Sequence, residues 1–365
     1  MKYLWPLAVL FLSNFLTAQE SENPLFSSFE EYKKAKENTP FQVKWISAGP
    51  VTNSARVEAL QGDPNQPGTM YVAFGSGNLW KTTNNGLDWK PIFENQPTLG
   101  IGDIAIAPSN SEILYLGTGE SLRKNRNFTM PGTGVYRSDD GGETWAHLGL
   151  ENTWHIGEIA VHPLNPDIVF VAAMGKFWSK STSKGIYRTT NGGKDWERVL
   201  YVNDDTRAND IVIAHSNPKI IYASMWENND DTNIVESVFG PNSGIYYSSD
   251  GGSNWKRSKN GLPDKPKIGR IGLAVSYQNA QKVYALIDNR NETEGNSAEV
   301  YQSMNGGVTW KRSHNDTLRI FPGNNIGWYF ADIYVNPKND EEIYSLGVRM
   351  AHSMDGGKTF RTVGG

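Results

Sequence analysis

The chain has 365 residues, 38% hydrophobic and 12% aromatic, enough to bury a large core in one or two domains. Its formal net charge is -4 and no basic block stands out, so the phosphate-neutralising surface of a nucleic-acid binder is missing. It contains no cysteine, which excludes disulfide staples, thiolate metal sites and a cysteine-linked lipid anchor.

In chain order, the first element is an export signal over residues 1–19. Lys2 gives a short positive region, Tyr3 to Leu16 is mostly apolar, and Thr17-Ala18-Gln19 supplies small residues ahead of Glu20. The apolar run falls short of the roughly 20 residues a membrane span needs, and no later segment would cross a bilayer after cleavage. These features predict a secreted, periplasmic or cell-surface protein. Residues 20–42 form an N-terminal segment with one short helix, read over Asn23 to Asn38. There Phe26, Phe29 and Tyr32 recur every three residues among Glu and Lys, so one face should pack on the outside of the main body.

Residues 43–365 are organised by an octad, Ser/Thr-x-Asp/Asn-x-Gly-x-x-Trp/Phe, that occurs six times. The copies are TTNNGLDW from Thr82, SDDGGETW from Ser138, TTNGGKDW from Thr189, SSDGGSNW from Ser248, SMNGGVTW from Ser303 and SMDGGKTF from Ser353. Each follows a short strand such as GVYRS or GIYYS and precedes another, such as WAHLGL or WKRSKNGL. Two further strands stand upstream, as in DIAIAP and ILYLGTG. Four short strands in a period of about 50 residues predict an all-β propeller of four-stranded blades. It would be six-bladed, or seven-bladed with one blade missing.

Within the octad the glycine can take the positive φ of a tight hairpin. The side chains of Asn84, Asp140, Asn191, Asp250, Asn305 and Asp355 can accept hydrogen bonds from turn amides. The closing aromatic should then pack between neighbouring sheets. The octad is read as a structural staple, with no catalytic task.

This octad is that of the Asp-box, or bacterial neuraminidase repeat. From about Trp45 to the end the chain resembles secreted bacterial proteins with sortilin N-terminal-like propellers, commonly labelled glycosyl hydrolases. The resemblance rests on GTGESLRKNRNF at Gly117, HIGEIAVHPLNPDIVFVAAMGKFW at His155, KDWERVLYVNDDT at Lys194, GRIGLAVS at Gly269 and GKTFRTVGG at Gly357. Xyloglucan-cleaving glycosidases are more distant members of the same group. The resemblance implies a propeller that in longer relatives is followed by further blades or a second propeller. Sialidase chemistry is not implied. The Phe/Tyr-Arg-Ile-Pro signature expected before the first octad is replaced by NSARVEAL from Asn53.

Propellers place ligands at the mouth of the central channel, beside the starts of the innermost strands. Aligning the repeats puts Arg56, Asp103, Glu158, Asp210, Arg270 and Asp332 there, all charged. A carboxylate pair from Asp103, Glu158, Asp210 and Asp332, helped by Glu120, would suit the acid and base of a glycosidase. The same arc could equally hold a hard cation such as calcium through oxygen ligands; otherwise no cofactor is expected. The plainer reading pairs the acids with the arginines to order the blades. Long loops after the second strand of repeats two to five wall one side of this face. With the neighbouring connections they bring Arg123, His155, Trp178, Trp226, Trp328 and Tyr329 to the rim, a residue set suited to sugar rings.

No His-x-x-x-His pair and no Gly-x-Ser-x-Gly elbow supports zinc or serine chemistry. The sequence therefore points to binding of a polysaccharide or extended peptide at the channel face. A xyloglucanase-like glycoside hydrolase is the alternative, and a non-catalytic scaffold of a surface complex the third reading.

Overall fold

A computed structural model describes residues 23–39, 56–121, 129–177, 179–227, 238–264, 266–291, 298–314 and 326–363. The leader at 1–19, Arg123 and Trp178 lie outside the described residues. The expected short helix spans Pro24–Glu37, with the Asn23 side chain capping the Leu25 amide and Pro24 opening the first turn. Its seat is narrow. Asn23 is buried and donates to the carbonyls of Gly132 and Glu151, and Phe26 meets the His147 ring at 5.0 Å, while Tyr32 is exposed. No helix among the described residues is long and apolar enough to cross a membrane.

Six four-stranded antiparallel sheets follow, each a meander in sequence order: a six-bladed β-propeller. The inner strands are Val57–Gly62, Ile101–Ile106, Ile156–Val161, Thr206–Ile213, Ile268–Val275 and Asp332–Asn336. Because strand direction alternates, the connections after the second strands and between blades share one end of the ring with the starts of the inner strands. The octad turns lie at the opposite end.

The octad behaves as its chemistry dictates. In each copy the first hydroxyl accepts from the glycine amide, as in Gly86 to Thr82 at 3.0 Å and Gly142 to Ser138 at 2.8 Å. The Asp/Asn oxygen accepts from the amide four residues on, as in Thr144 to Asp140 at 2.8 Å. Those glycines adopt φ values such as +95 at Gly142 and +83 at Gly307, which a side chain would strain. Hydrogen bonds from Thr144, Asn254 and Thr359 hold Asp140, Asp250 and Asp355 down at about 2, so these carboxylates stay charged and fully occupied by the turn.

Two octad tryptophans hydrogen-bond the preceding blade, Trp145 Nε1 donating to Ile92 O at 2.9 Å and Trp196 Nε1 to Leu148 O at 2.8 Å, while Trp255 and Trp310 donate to Gly252 and Gly307 of their own turns. Blade interfaces are closely packed. The second strands Leu114–Thr118, Val169–Ala173 and Val283–Asn289 are buried at every position, which a sheet covered on both faces requires. Blades 1 and 6 differ. Met70–Phe74 and Asn339–Leu346 alternate buried and open positions, and Leu60, Trp89 and Tyr334 are exposed. Among the described residues these two blades bury one face each, and their inner strands do not pack together as the other neighbours do.

A prediction follows from this asymmetry. Trp310 is 5% exposed and Trp89 37%, so Trp310→Ala is expected to cost about 3–5 kcal/mol and Trp89→Ala within about 1 kcal/mol. Urea midpoints of the two variants decide it, and equal losses would mean that the outer face of blade 1 is covered in solution.

Candidate functional site at the channel mouth

The inner strands enclose a channel of about 320 Å³. Asp103, Glu158 and Asp210 are each aimed by a β-bulge, while Asp332 opens its strand. In blade 2 the pairing runs Ile101 to Thr118 and then Asp103 to Gly117, leaving Gly102 unpaired; Gly157 and Asn209 are the extra residues before Glu158 and Asp210. A bulge turns the following side chain, here into the channel.

This register corrects two members of the expected ring. The positions equivalent to Asp103, Glu158, Asp210 and Asp332, judged by their second-strand partners, are Ala59 in blade 1 and Gly272 in blade 5. Arg56 and Arg270 precede them. In blade 5 the string Ile268-Gly269-Arg270 copies Ile101-Gly102-Asp103 of blade 2, but its register break leaves both Gly269 and Arg270 unpaired, so a match by sequence falls two residues early. Arg270 still lines the channel, whereas Arg56 pairs at the rim with Glu120.

Most of the ring is occupied with joining blades. Asp103 Oδ2 accepts the Ile159 amide of blade 3 at 2.7 Å, and Asp210 Oδ2 accepts the Leu273 amide of blade 5 at 2.8 Å. Arg270 donates to Asp332 at 3.1 Å and to the Tyr329 carbonyl at 3.1 Å, tying blade 5 to blade 6. Glu158 makes no hydrogen bond among the described residues. Burial pushes Asp103 up to about 8 and Asp210 up to about 7. Burial also lifts Glu158 well above the carboxylate range, with repulsion from Asp103, Asp210 and Asp332 adding to it.

The rim residues divide into packed and open groups. Glu120 is buried, and Arg56 Nε donates to it at 2.7 Å. His155 Nδ1 stands 2.9 Å from the Glu120 carbonyl and its ring stacks on Phe177 at 3.9 Å; burial drives it down to about 3, so it is neutral. Arg207 lies over Phe177 and Trp226, and Trp226 Nε1 donates to Val238 O at 2.9 Å. Trp226 is 1% exposed and thus a core residue, while Trp328 and Tyr329 are half-buried at the rim.

Three channel residues escaped sequence reading: Tyr334, exposed to the lumen, and the stacked pair His215 and Tyr277, 4.4 Å apart. Tyr334 stands two positions beyond Asp332, the period-2 spacing that returns a strand side chain to the same face. No group of three or more His, Cys, Asp or Glu among the described residues is arranged to hold a metal ion.

Comparison with known proteins agrees with this architecture. The family described as "Sortilin-Vps10: Sortilin, neurotensin receptor 3" matches residues 133–264. The xyloglucanase Xgh74A of Acetivibrio thermocellus is 25% identical over 79% of this chain and 39% of its own length. A probable oligoxyloglucan-reducing end-specific xyloglucanase of Neosartorya fischeri is 24% identical over 59% of this chain and 25% of its own. The chain thus spans about two fifths or less of these relatives. Among solved structures, a GH74 enzyme of Niastella koreensis superposes with a TM-score of 0.61 at 19% identity, over 84% of this chain and 46% of that one. YCF48 from Cyanidioschyzon merolae gives 0.54 at 13% identity, over 86% and 87%. The protein is a β-propeller that resembles the sortilin family over residues 133–264 and is distantly similar to xyloglucan-cleaving glycosidases.

Proposed function

We propose that the channel face binds a polysaccharide, with Glu158 as the carboxyl group presented to it. The carrying observation is that the other ring members are engaged in joining blades while Glu158 has no partner among the described residues. A protonated carboxyl both donates and accepts, which suits sugar hydroxyls. Xyloglucan is the first polymer to try, given the relatives named above. Glu158→Ala is expected to weaken retention in a xyloglucan affinity gel about tenfold, the worth of one such contact. Unchanged retention would remove Glu158 from the site, and binding confined to extended peptides would replace the polysaccharide reading.

A second reading, glycoside hydrolysis, is favoured by the raised Glu158. A carboxyl whose hold on its proton is strengthened by burial and neighbouring acids can protonate a leaving glycosidic oxygen, with Asp332 beside Arg270 as the base. Reducing-end release from a polysaccharide panel tests it. Release that vanishes in Glu158→Gln supports hydrolysis, and no release from any polymer sinks it.

A further inference from the structure

Away from the channel, a second cleft of about 310 Å³ opens between blades 4 and 5. Its walls are the connection between those blades and the segment entering the third strand of blade 4, both at the end of the ring that carries the channel mouth. Ile268 and Ile271 form a buried apolar floor with half-buried Leu262 above them.

Among the described residues lining the cleft, two are cations, Arg257 and Lys259, and one is an acid, the exposed Asp264, in a chain of net charge -4. Spread over a connection, these cations do not read as a basic block, and only the fold sets Arg257 and Lys259 on one cleft.

Arg257 is held in place. Its Nη2 donates to the carbonyls of Pro241 and Ser243, both at 2.8 Å, and its guanidinium lies against Gly244, where a Cβ would come within 2.9 Å of Nε. It has no ion pair among the described residues. A guanidinium fixed by two neutral carbonyls keeps its charge uncompensated and its remaining donors in a set geometry, which suits a carboxylate. Lys259 adds a second, exposed cation on the same rim.

We infer that this cleft is a subsite for a uronic-acid residue of an acidic polysaccharide. The carboxylate would meet Arg257 and Lys259, and the C–H face of the sugar ring the aliphatic floor. The volume lies at the low end of ligand-sized clefts, room for one or two sugar rings. The assignment of a sugar rests on the polysaccharide reading of the channel face. Position supports it, because a chain lying across that face passes from the channel mouth over the cleft.

The test uses the full chain in affinity gels containing glucuronoxylan, or the same polymer with its carboxyl groups reduced to alcohols. Glucuronoxylan is expected to bind about tenfold more tightly, an advantage that fades with salt as an ionic contact must. Lys259→Ala and Arg257→Gln should each erase most of that advantage and leave the reduced polymer unaffected. Should Arg257→Gln fail to fold, exposed Lys259 carries the test.

Equal binding of the two polymers overturns the subsite, and so does poly-glutamate competing as well as glucuronoxylan, which would make peptide carboxylates the ligand. Failure of the channel reading is separately visible. Titration of D-glucuronate against D-glucose, followed by NMR, reports on the cleft alone: selective, Lys259-dependent glucuronate shifts support the subsite even if Glu158→Ala changes nothing, and their absence overturns it.

Discussion

Gly102→Ala is expected to cost more than about 4 kcal/mol, and in practice to collapse the yield of folded protein, although it adds one methyl group. A Cβ at Gly102 would stand 2.0 Å from the Ile156 carbonyl oxygen and 2.7 Å from that of Gly119, both backbone atoms that cannot swing away. Gly157 and Gly272 face the same obstruction, at 2.4 Å from Asn209 O and 2.1 Å from Ala331 O. These glycines sit where the inner strand of one blade meets that of the next, so the methyl pushes two blades apart and opens the closely packed interface beneath. Gly62→Ala is the control. Nothing lies within 4 Å of the point a Cβ would occupy there, and the change should alter stability by no more than about 0.5 kcal/mol. Thermal melts of the two variants provide the comparison, and a mild Gly102→Ala would show that the inner strands are less tightly apposed than described.

The second large effect is a pH dependence of unusual sign. Asp103 stands at about 8 in the folded protein against an ordinary value of 3.8. Between about pH 4 and 8 the folded chain therefore holds a proton that the unfolded chain has released, and stability falls as pH rises through that window. Below pH 4 both states are protonated and this contribution is flat. Asp210, at about 7, acts in the same direction up to pH 7. Asp103→Asn keeps an oxygen to accept the Ile159 amide and removes the charge. The variant should match the wild type near pH 4 and exceed it above pH 8, by an amount on the order of a few kcal/mol, since each tenfold change in proton affinity is worth about 1.4 kcal/mol. Denaturant midpoints from pH 4 to 9 check this. A variant destabilised equally at every pH would show that Asp103 is needed as a carboxylate.

Architecture was legible in the sequence because its signals are local. An octad turn closes its own hydrogen bonds within a few residues, as Ser138, Asp140 and Thr144 do, so each copy declares a hairpin wherever it stands. The six copies thereby announced six blades, and the acids Asp103, Glu158, Asp210 and Asp332 could be found by counting from them.

What remained hidden depended on distance. The amide that engages Asp103 comes from 56 residues away and the one that engages Asp210 from 63, each from the next blade. Burial of Trp226, seclusion of His155 and the cationic cleft at Arg257 likewise arise only when separate blades meet. The sequence by itself determined the repeat, the propeller and the charged character of the channel mouth, since hairpin chemistry and strand periodicity act over a few residues. Only the tertiary structure decided that Asp103, Asp210 and Asp332 are bound into blade contacts and Glu158 is not, because a carboxylate's freedom depends on which donors, backbone amides or the Arg270 guanidinium, the fold brings within hydrogen-bond reach.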